Sequence, residues 1–345
     1  MTPTKRPLTT LLLTLFLLIA LAGCGDREKT AAEQATQDYP TPDGRVLTAN
    51  QAADNLSVID VATNKAYATI VTGKQPHHVL GTPDGKEIWV TLYGENRLQV
   101  FDAKTLKEIA SVDVGASNDD LTFDPSGKRL YVSLGNSDEV AVVDVPGRKL
   151  LNKVKVGKTP HGVKVTPDGK YLLVTNTADN TVSLIMLQKE PAEVETAIKA
   201  GVNPFEVIVT DDNATAYVSN FLGDSISVVD LNQRKTVASI RTGKKPAMLA
   251  LQNGAGGQAQ QIWAANTGSA ELWLIDGATR KLVTRVPVGK GTHGVVTTPS
   301  GKLFVTNAED NTVSVVDAAK QEVLTTIPVG NTPNGLTFLP NAQGQ

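Results

Sequence analysis

All four histidines of this 345-residue chain occupy two neighbouring positions of one recurring pattern. Seven regularly placed glycines mark it: Gly73, Gly115, Gly157, Gly201, Gly243, Gly289 and Gly330. The position four residues after each reads His77, Asp119, His161, Phe205, Ala247, His293 and Asn334, with His78 directly following His77. Imidazole is a nitrogen donor near neutral pH and a carboxylate is an anionic oxygen donor. Brought together, His77, His78, His161, His293 and Asp119 would suit zinc or another divalent first-row metal. The same groups would serve a haem iron, acid–base chemistry, or a metal-free polar pocket. A histidine that merely tied one repeat to the next would recur in every repeat, yet dissimilar side chains replace it in four of the seven.

Lysines follow the same glycines: Lys74, Lys158, Lys244 with Lys245, and Lys290. A ring of ammonium groups would favour an anionic ligand. Asp54, Glu95, Asp138, Asp179, Asp224, Glu309 and Asp310 stand opposite them in the pattern. A rim of mixed sign also describes a solvated surface. Asn50, Asn176, Asn220, Asn266 and Asn307 recur at strand ends and read as turn-capping residues.

The elements that must position these residues follow from the spacing. The glycines recur at intervals of 41 to 46 residues, and a period of about 40 residues marks a repeat architecture. Between Gly157 and Gly201 an alternating segment ends in Pro167-Asp168-Gly169-Lys170, a turn in which proline fixes φ and Asp-Gly tolerates positive φ. Tyr171 to Asn176 forms a second strand and Thr181 to Ile185 a third, and a fourth runs to Gly201. Four short antiparallel strands per unit make one propeller blade. The C-terminal Thr332-Pro333-Asn334-Gly335 stretch supplies a first strand that the segment beginning at Thr41 lacks. Joined, they complete a seventh blade, so the fold expected is an all-β, seven-bladed β-propeller over residues 41–340, closed by its C-terminal strand. The blade after Gly243 carries a longer loop at 253–261, and Ser117-Asn118-Asp119-Asp120 replaces the Thr-Pro-His-Gly turn in the third.

Tyr217-Val218-Ser219-Asn220, Leu173-Val174-Thr175-Asn176 and the run from Asn311 to Asp317 resemble the YVTN-type repeat found in bacterial periplasmic proteins of the YncE-like kind. The resemblance implies a monomeric propeller whose channel mouth binds ligands. It brings DNA binding as one family expectation. Propellers of this shape also resemble metal-using lactonases and lyases and haem-handling propellers of the nitrite-reductase type, which makes a metal- or haem-dependent enzyme the rival reading.

The N-terminus carries a separate instruction. Lys5 and Arg6, an apolar run from Leu11 to Leu21, and Leu21-Ala22-Gly23-Cys24 describe a secretory leader over 1–23. The run resembles a bacterial lipobox, which implies acylation of Cys24 and attachment to a membrane. Gly25 rather than an aspartate resembles lipoproteins placed on the periplasmic face of an outer membrane in a Gram-negative host. Residues 24–40 read as a flexible tether and 341–345 as a tail. Cys24 is the only cysteine, so packing rather than disulfides must stabilise the fold. The net charge of −2 and an aromatic content of 5% argue against a nucleic-acid partner. Nucleophile-elbow, phosphate-loop, His-Glu-x-x-His and Cys-x-x-Cys-His motifs are absent from the sequence. The function favoured is therefore a lipid-anchored cell-envelope binding module, holding a protein or a small anionic ligand at the histidine-bearing mouth.

Overall fold

The computed structural model describes residues 43–189, 192–252 and 260–341. The leader, Cys24, the tether, the core of the loop at 253–259 and the last four residues lie outside them. Within this range 28 strands form seven four-stranded antiparallel sheets. Six sheets are built from consecutive strands. The seventh pairs Pro333–Leu339 with Arg45–Asn50, followed by Asn55–Asp60 and Lys65–Val71. The expected closure of the ring by the C-terminal strand is thus observed. We number the blades from this composite one: blade 2 spans 76–113, blade 3 118–155, blade 4 160–199, blade 5 204–241, blade 6 246–287 and blade 7 292–328.

Burial grades outward across each blade, and composition follows it. The second and third strands, such as Glu87–Leu92 and Thr181–Met186, are buried on both faces because neighbouring blades cover each side. They are accordingly runs of Val, Ile, Leu and aromatic residues. Outer strands such as Lys149–Lys155 are half-exposed and alternate with lysine and asparagine. The core therefore sits between blades rather than inside one. Trp89, fully buried, packs with Val100, Leu121 and Val143, and Trp263 does the same with Leu274, Leu303 and Val305. Each fully buried Leu or Ile contributes about 1.5–3 kcal/mol.

The repeat residues lock blades to one another. Thr91, Thr175, Ser219 and Thr306 donate their hydroxyls to the carbonyls of Asp119, Phe205, Ala247 and Asn334 in the following blade, at 2.6 to 2.9 Å. The same hydroxyls accept the N–H of His78, Gly162, Glu206 and Gly294 in their own blades. The asparagines expected to cap turns act differently: all five are fully buried. Asn176 Nδ2 donates to Thr181 and Ser183 across the third strand, and Asn307 repeats this with Thr312 and Ser314. The oxygens of Asn220 and Asn307 accept the N–H of Gly201 and Gly289. A Cβ on Gly201 would lie 2.5 Å from Asn220 Cγ, so the marker glycine is what lets the chain pass over the asparagine.

Candidate functional site

Seven turns lead the chain from one blade into the inner strand of the next, and all share one backbone device. The residue two after each marker glycine (Gln75, Ser117, Thr159, Asn203, Lys245, Gly291 or Thr332) has φ between 52° and 66°. Only one of these is glycine, and Thr159 and Thr332 are β-branched, so the left-handed conformation costs energy. It persists because the preceding blade grips the turn. Asp54, Asp138 and Asp224 accept the N–H of Gln75, Thr159 and Lys245 at 2.9 Å, and Asn180 and Asn311 accept those of Asn203 and Thr332 at 2.8 Å. Several of the rim acids read as counter-charges are therefore turn anchors. Four of the seven residues at the position four after each glycine, His77, His161, His293 and Asn334, line one pocket.

Two of the rim lysines are paired at the surface, Lys74 with Asp54 and Lys244 with Asp224, each at 2.6 Å. Lys158 and Lys290 use their backbone N–H groups on Asp179 and Asp310. No side chain of these four lysines lines the pocket at the channel mouth. Asn334 does line it, and donates Nδ2 to Gln51 Oε1 at 3.3 Å.

The histidines converge. His77 Nδ1 lies 2.8 Å from Asp119 Oδ1, and His161 Nε2 lies 3.6 Å from the same oxygen. The His77 ring centroid is 5.8 Å from that of His161 and 6.5 Å from that of His293. Phe205, which occupies the histidine position in blade 5, stacks on His161 at 3.7 Å and on Phe221 at 5.2 Å, and meets His293 edge-on. Tyr93 flanks His77 at 5.9 Å. The pocket has room for about one water-sized body.

A second layer lies beside the first, and only His78 of it was singled out in the sequence. The position five after each glycine reads His78, Asp120, Gly162, Glu206, Met248, Gly294 and Gly335. His78, Asp120, Glu206 and Met248 line the pocket together with the histidines of the first layer. His78 Nδ1 contacts Asp120 Oδ1. Asp120 also accepts the N–H of Val163 from blade 4 at 2.9 Å. The glycines are there for space: a Cβ on Gly335 would fall 1.9 Å from His78 Cδ2. Aligning this second position across the repeats would have exposed Asp120 and Glu206 as buried carboxyls among glycines.

Electrostatics sort these groups. Burial opposes ionisation of Asp119, but the charges of His161 and His77 outweigh it and hold the carboxyl well below its usual range. His77, with Asp119 and Asp120 beside it, gains more from them than burial takes away, and its proton affinity rises. Burial lowers that of His161 despite Asp119. Burial, aided by the charges of His77 and His161, pushes His293 down to about 3. Glu206 moves the other way: burial and the nearby Asp120 charge raise it well above an ordinary carboxyl. Six buried nitrogen and oxygen atoms here lack a partner with hydrogen-bond geometry: His77 Nδ1, both ring nitrogens of His78, Asp119 Oδ1, His293 Nδ1 and Asn334 Oδ1. Such a concentration of unsatisfied buried donors and acceptors is costly.

His293 gives a pH prediction. Unfolded histidine titrates near 6.5, whereas the folded group titrates at about 3. Between those values the unfolded chain binds more protons, so stability falls as pH drops through the window. His77 works oppositely, its contribution being present below its unfolded value and lost as pH rises through the folded one. The readout is therefore a difference. His293→Asn should lessen the loss of Tm between pH 6.5 and 4.5, by an amount equivalent to about 2 kcal/mol at the lower pH. Equal slopes for both proteins would contradict it.

A family model for YncE-like β-propellers matches residues 99–302. No curated protein matches the chain by sequence. Among solved structures, the periplasmic gluconolactonase PpgL of Pseudomonas aeruginosa is similar with a TM-score of 0.70 and 17% identity, over 86% of this chain and 99% of that one. Hydrazine synthase of Kuenenia stuttgartiensis aligns with a TM-score of 0.68 and 19% identity, over 75% and 88%. The dihydro-heme d1 dehydrogenase NirN aligns with a TM-score of 0.66 and 16% identity, over 88% and 77%. At these identities the likeness is one of fold.

Proposed function

The chain belongs to the YncE-like β-propeller family, and on that scaffold we propose that it is a lipid-anchored binding module of the cell envelope. Its ligand seats at the histidine-lined channel mouth. The observation that carries this reading is the convergence of His77, His78, His161 and His293 on one small pocket, with Asp119 against His77 and His161, where six buried polar atoms lack hydrogen-bond partners. Single unpartnered atoms occur elsewhere, at Asn50, Asn176 and Asn266 for example, but six of them gather around this pocket, and that clustering points to something that completes them. The composition of the pocket favours a cation or an electron-poor centre over the anion first expected. The carboxyls of Asp120 and Glu206 line it together with four imidazoles, and Asp119 lies against His77 and His161, while Lys74 and Lys244 are engaged at the rim.

Cys24, following the apolar leader, supplies the anchor in this reading, and the tether to residue 40 gives the propeller reach from the membrane. Membrane fractionation of the full chain and of Cys24→Ser tests it. The wild-type protein should sediment with envelope membranes, and the variant should be soluble with an unchanged circular-dichroism melt. Continued sedimentation of a folded variant would remove the lipid anchor from the proposal. The soluble variant then serves for binding: a ligand that enters the mouth should raise its Tm, and His161→Ala should abolish the rise.

A further inference from the structure

Resting on the reading of the mouth as a binding site, we infer that its ligand is a divalent transition-metal ion of the zinc, nickel or copper type, held by His77 Nδ1, Asp119 Oδ1 and His161 Nε2. These three atoms come from three successive blades and lie within 4.8 Å of one another. Two donors bound tetrahedrally to zinc at 2.0–2.1 Å stand about 3.3 Å apart. The separations of 2.8 and 3.6 Å bracket that value.

The donors stand close to one another but are poorly aligned for hydrogen bonds among themselves. His77 Nδ1 and Asp119 Oδ1 are close, yet neither has a partner with hydrogen-bond geometry. His161 makes the same point through its tautomer. Its Nδ1 is 3.1 Å from the carbonyl oxygen of Phe205. That oxygen can only accept, so Nδ1 carries the hydrogen, and the neutral ring presents a lone pair at Nε2. The lone pair faces a carboxylate oxygen at 3.6 Å with no proton of its own to share. A cation between the two atoms, a metal ion or a second proton on the ring, satisfies both.

The supporting shell fits the same reading. A metal-bound imidazole characteristically donates its other N–H to a carbonyl or carboxylate, which fixes the ring and its tautomer. Phe205 O plays that part for His161, and is itself held by the Thr175 hydroxyl at 2.8 Å. Phe205 also stacks on the His161 ring. The donor chemistry selects the ion class. Imidazole nitrogens with one carboxylate suit zinc, copper and nickel, whereas calcium and magnesium demand mostly oxygen ligands. Three protein donors leave a coordination position open for water or for His293, whose Nδ1 is buried without a partner.

Cobalt(II) is the probe, because its visible bands report coordination. Tag-free Cys24→Ser protein, stripped by chelator at pH 7.5, is titrated with cobalt and followed by absorption and by Tm. The expected result is saturation at one equivalent per chain, d–d bands of a four- or five-coordinate nitrogen–oxygen site, a raised Tm, and displacement by zinc. Asp119→Asn and His161→Ala should each weaken binding by at least about 100-fold while retaining the wild-type circular-dichroism spectrum. If those variants do not fold, the metal-dependent rise of the wild-type Tm still decides. Absence of stoichiometric binding of cobalt, zinc, nickel and copper to folded wild-type protein would overturn the inference, as would undiminished binding in both folded variants. A Tm rise with an organic cation but with none of these metals would overturn the metal and leave the channel-mouth reading standing.

Discussion

A chain that stops at Thr332 will not form the closed ring. The missing strand Pro333–Leu339 pairs along Arg45–Asn50 and supplies the inner strand of blade 1. Leu339 is buried with Leu47, Leu56 and Val79, and Leu336 with Ile59, Phe304 and Val313. These two leucines and the partly buried Phe338 together contribute about 5 kcal/mol or more, comparable with the whole stability of a small domain at 5–15 kcal/mol. Truncation also removes the carbonyl of Asn334 that accepts the Thr306 hydroxyl. It leaves Arg45–Asn50 as an open edge able to pair with other chains. Expression of residues 43–332 should give aggregated material or a broad, non-cooperative melt. A cooperative transition within a few degrees of that of the complete propeller would show that the ring does not depend on this closure.

The second large effect is at Gly335, where one methyl group reaches the site. A Cβ there would stand 1.9 Å from His78 Cδ2, 2.8 Å from His77 O and 2.9 Å from His78 Cα. The ring carbon alone could swing aside, but the two backbone atoms cannot without moving the strand that carries both histidines. Gly335→Ala should therefore cost about 3 kcal/mol, the upper range for overpacking, and should weaken ligand capture at the mouth. Gly301→Ala is the instructive comparison. Gly301 has φ of +78° but nothing within 4 Å of its Cβ position, so only backbone strain is at stake, about 1–2 kcal/mol. Urea unfolding of both variants checks the order. A Gly335 variant more stable than the Gly301 variant would refute the packing argument.

The propeller was legible because its signals are local and repeated: Pro-Asp-Gly-Lys turns, β-branched second strands, and the marker glycine. Closure was legible because two partial blades at the ends sum to one. The first layer of the site was legible too, since one register brought His77, His161, His293 and Asp119 to equivalent positions. What stayed hidden follows from backbone detail. In blades 2 to 7 the pairing of the first and second strands shifts register after the entry residue, between Pro76 and Val79 or Pro160 and Val163 for example. Strict alternation would send His77 and His78 to opposite faces. The irregularity lets both line one pocket, so Asp120 and Glu206 escaped a reading based on alternation. The asparagines and rim acids were visible as repeats, but a repeat does not name its partner. Their bonds run to glycine and turn N–H groups that only the folded ring brings near.

The most direct measurement is an elemental count. Tag-free Cys24→Ser protein, dialysed against equimolar zinc, nickel and copper at pH 7.5 and then against buffer, is analysed for metal alongside the His77→Ala/His161→Ala double variant. A channel-mouth metal site of His77, Asp119 and His161 should give one equivalent per wild-type chain and none in the folded double variant. A metal-free wild-type protein, or equal metal in both, would contradict it.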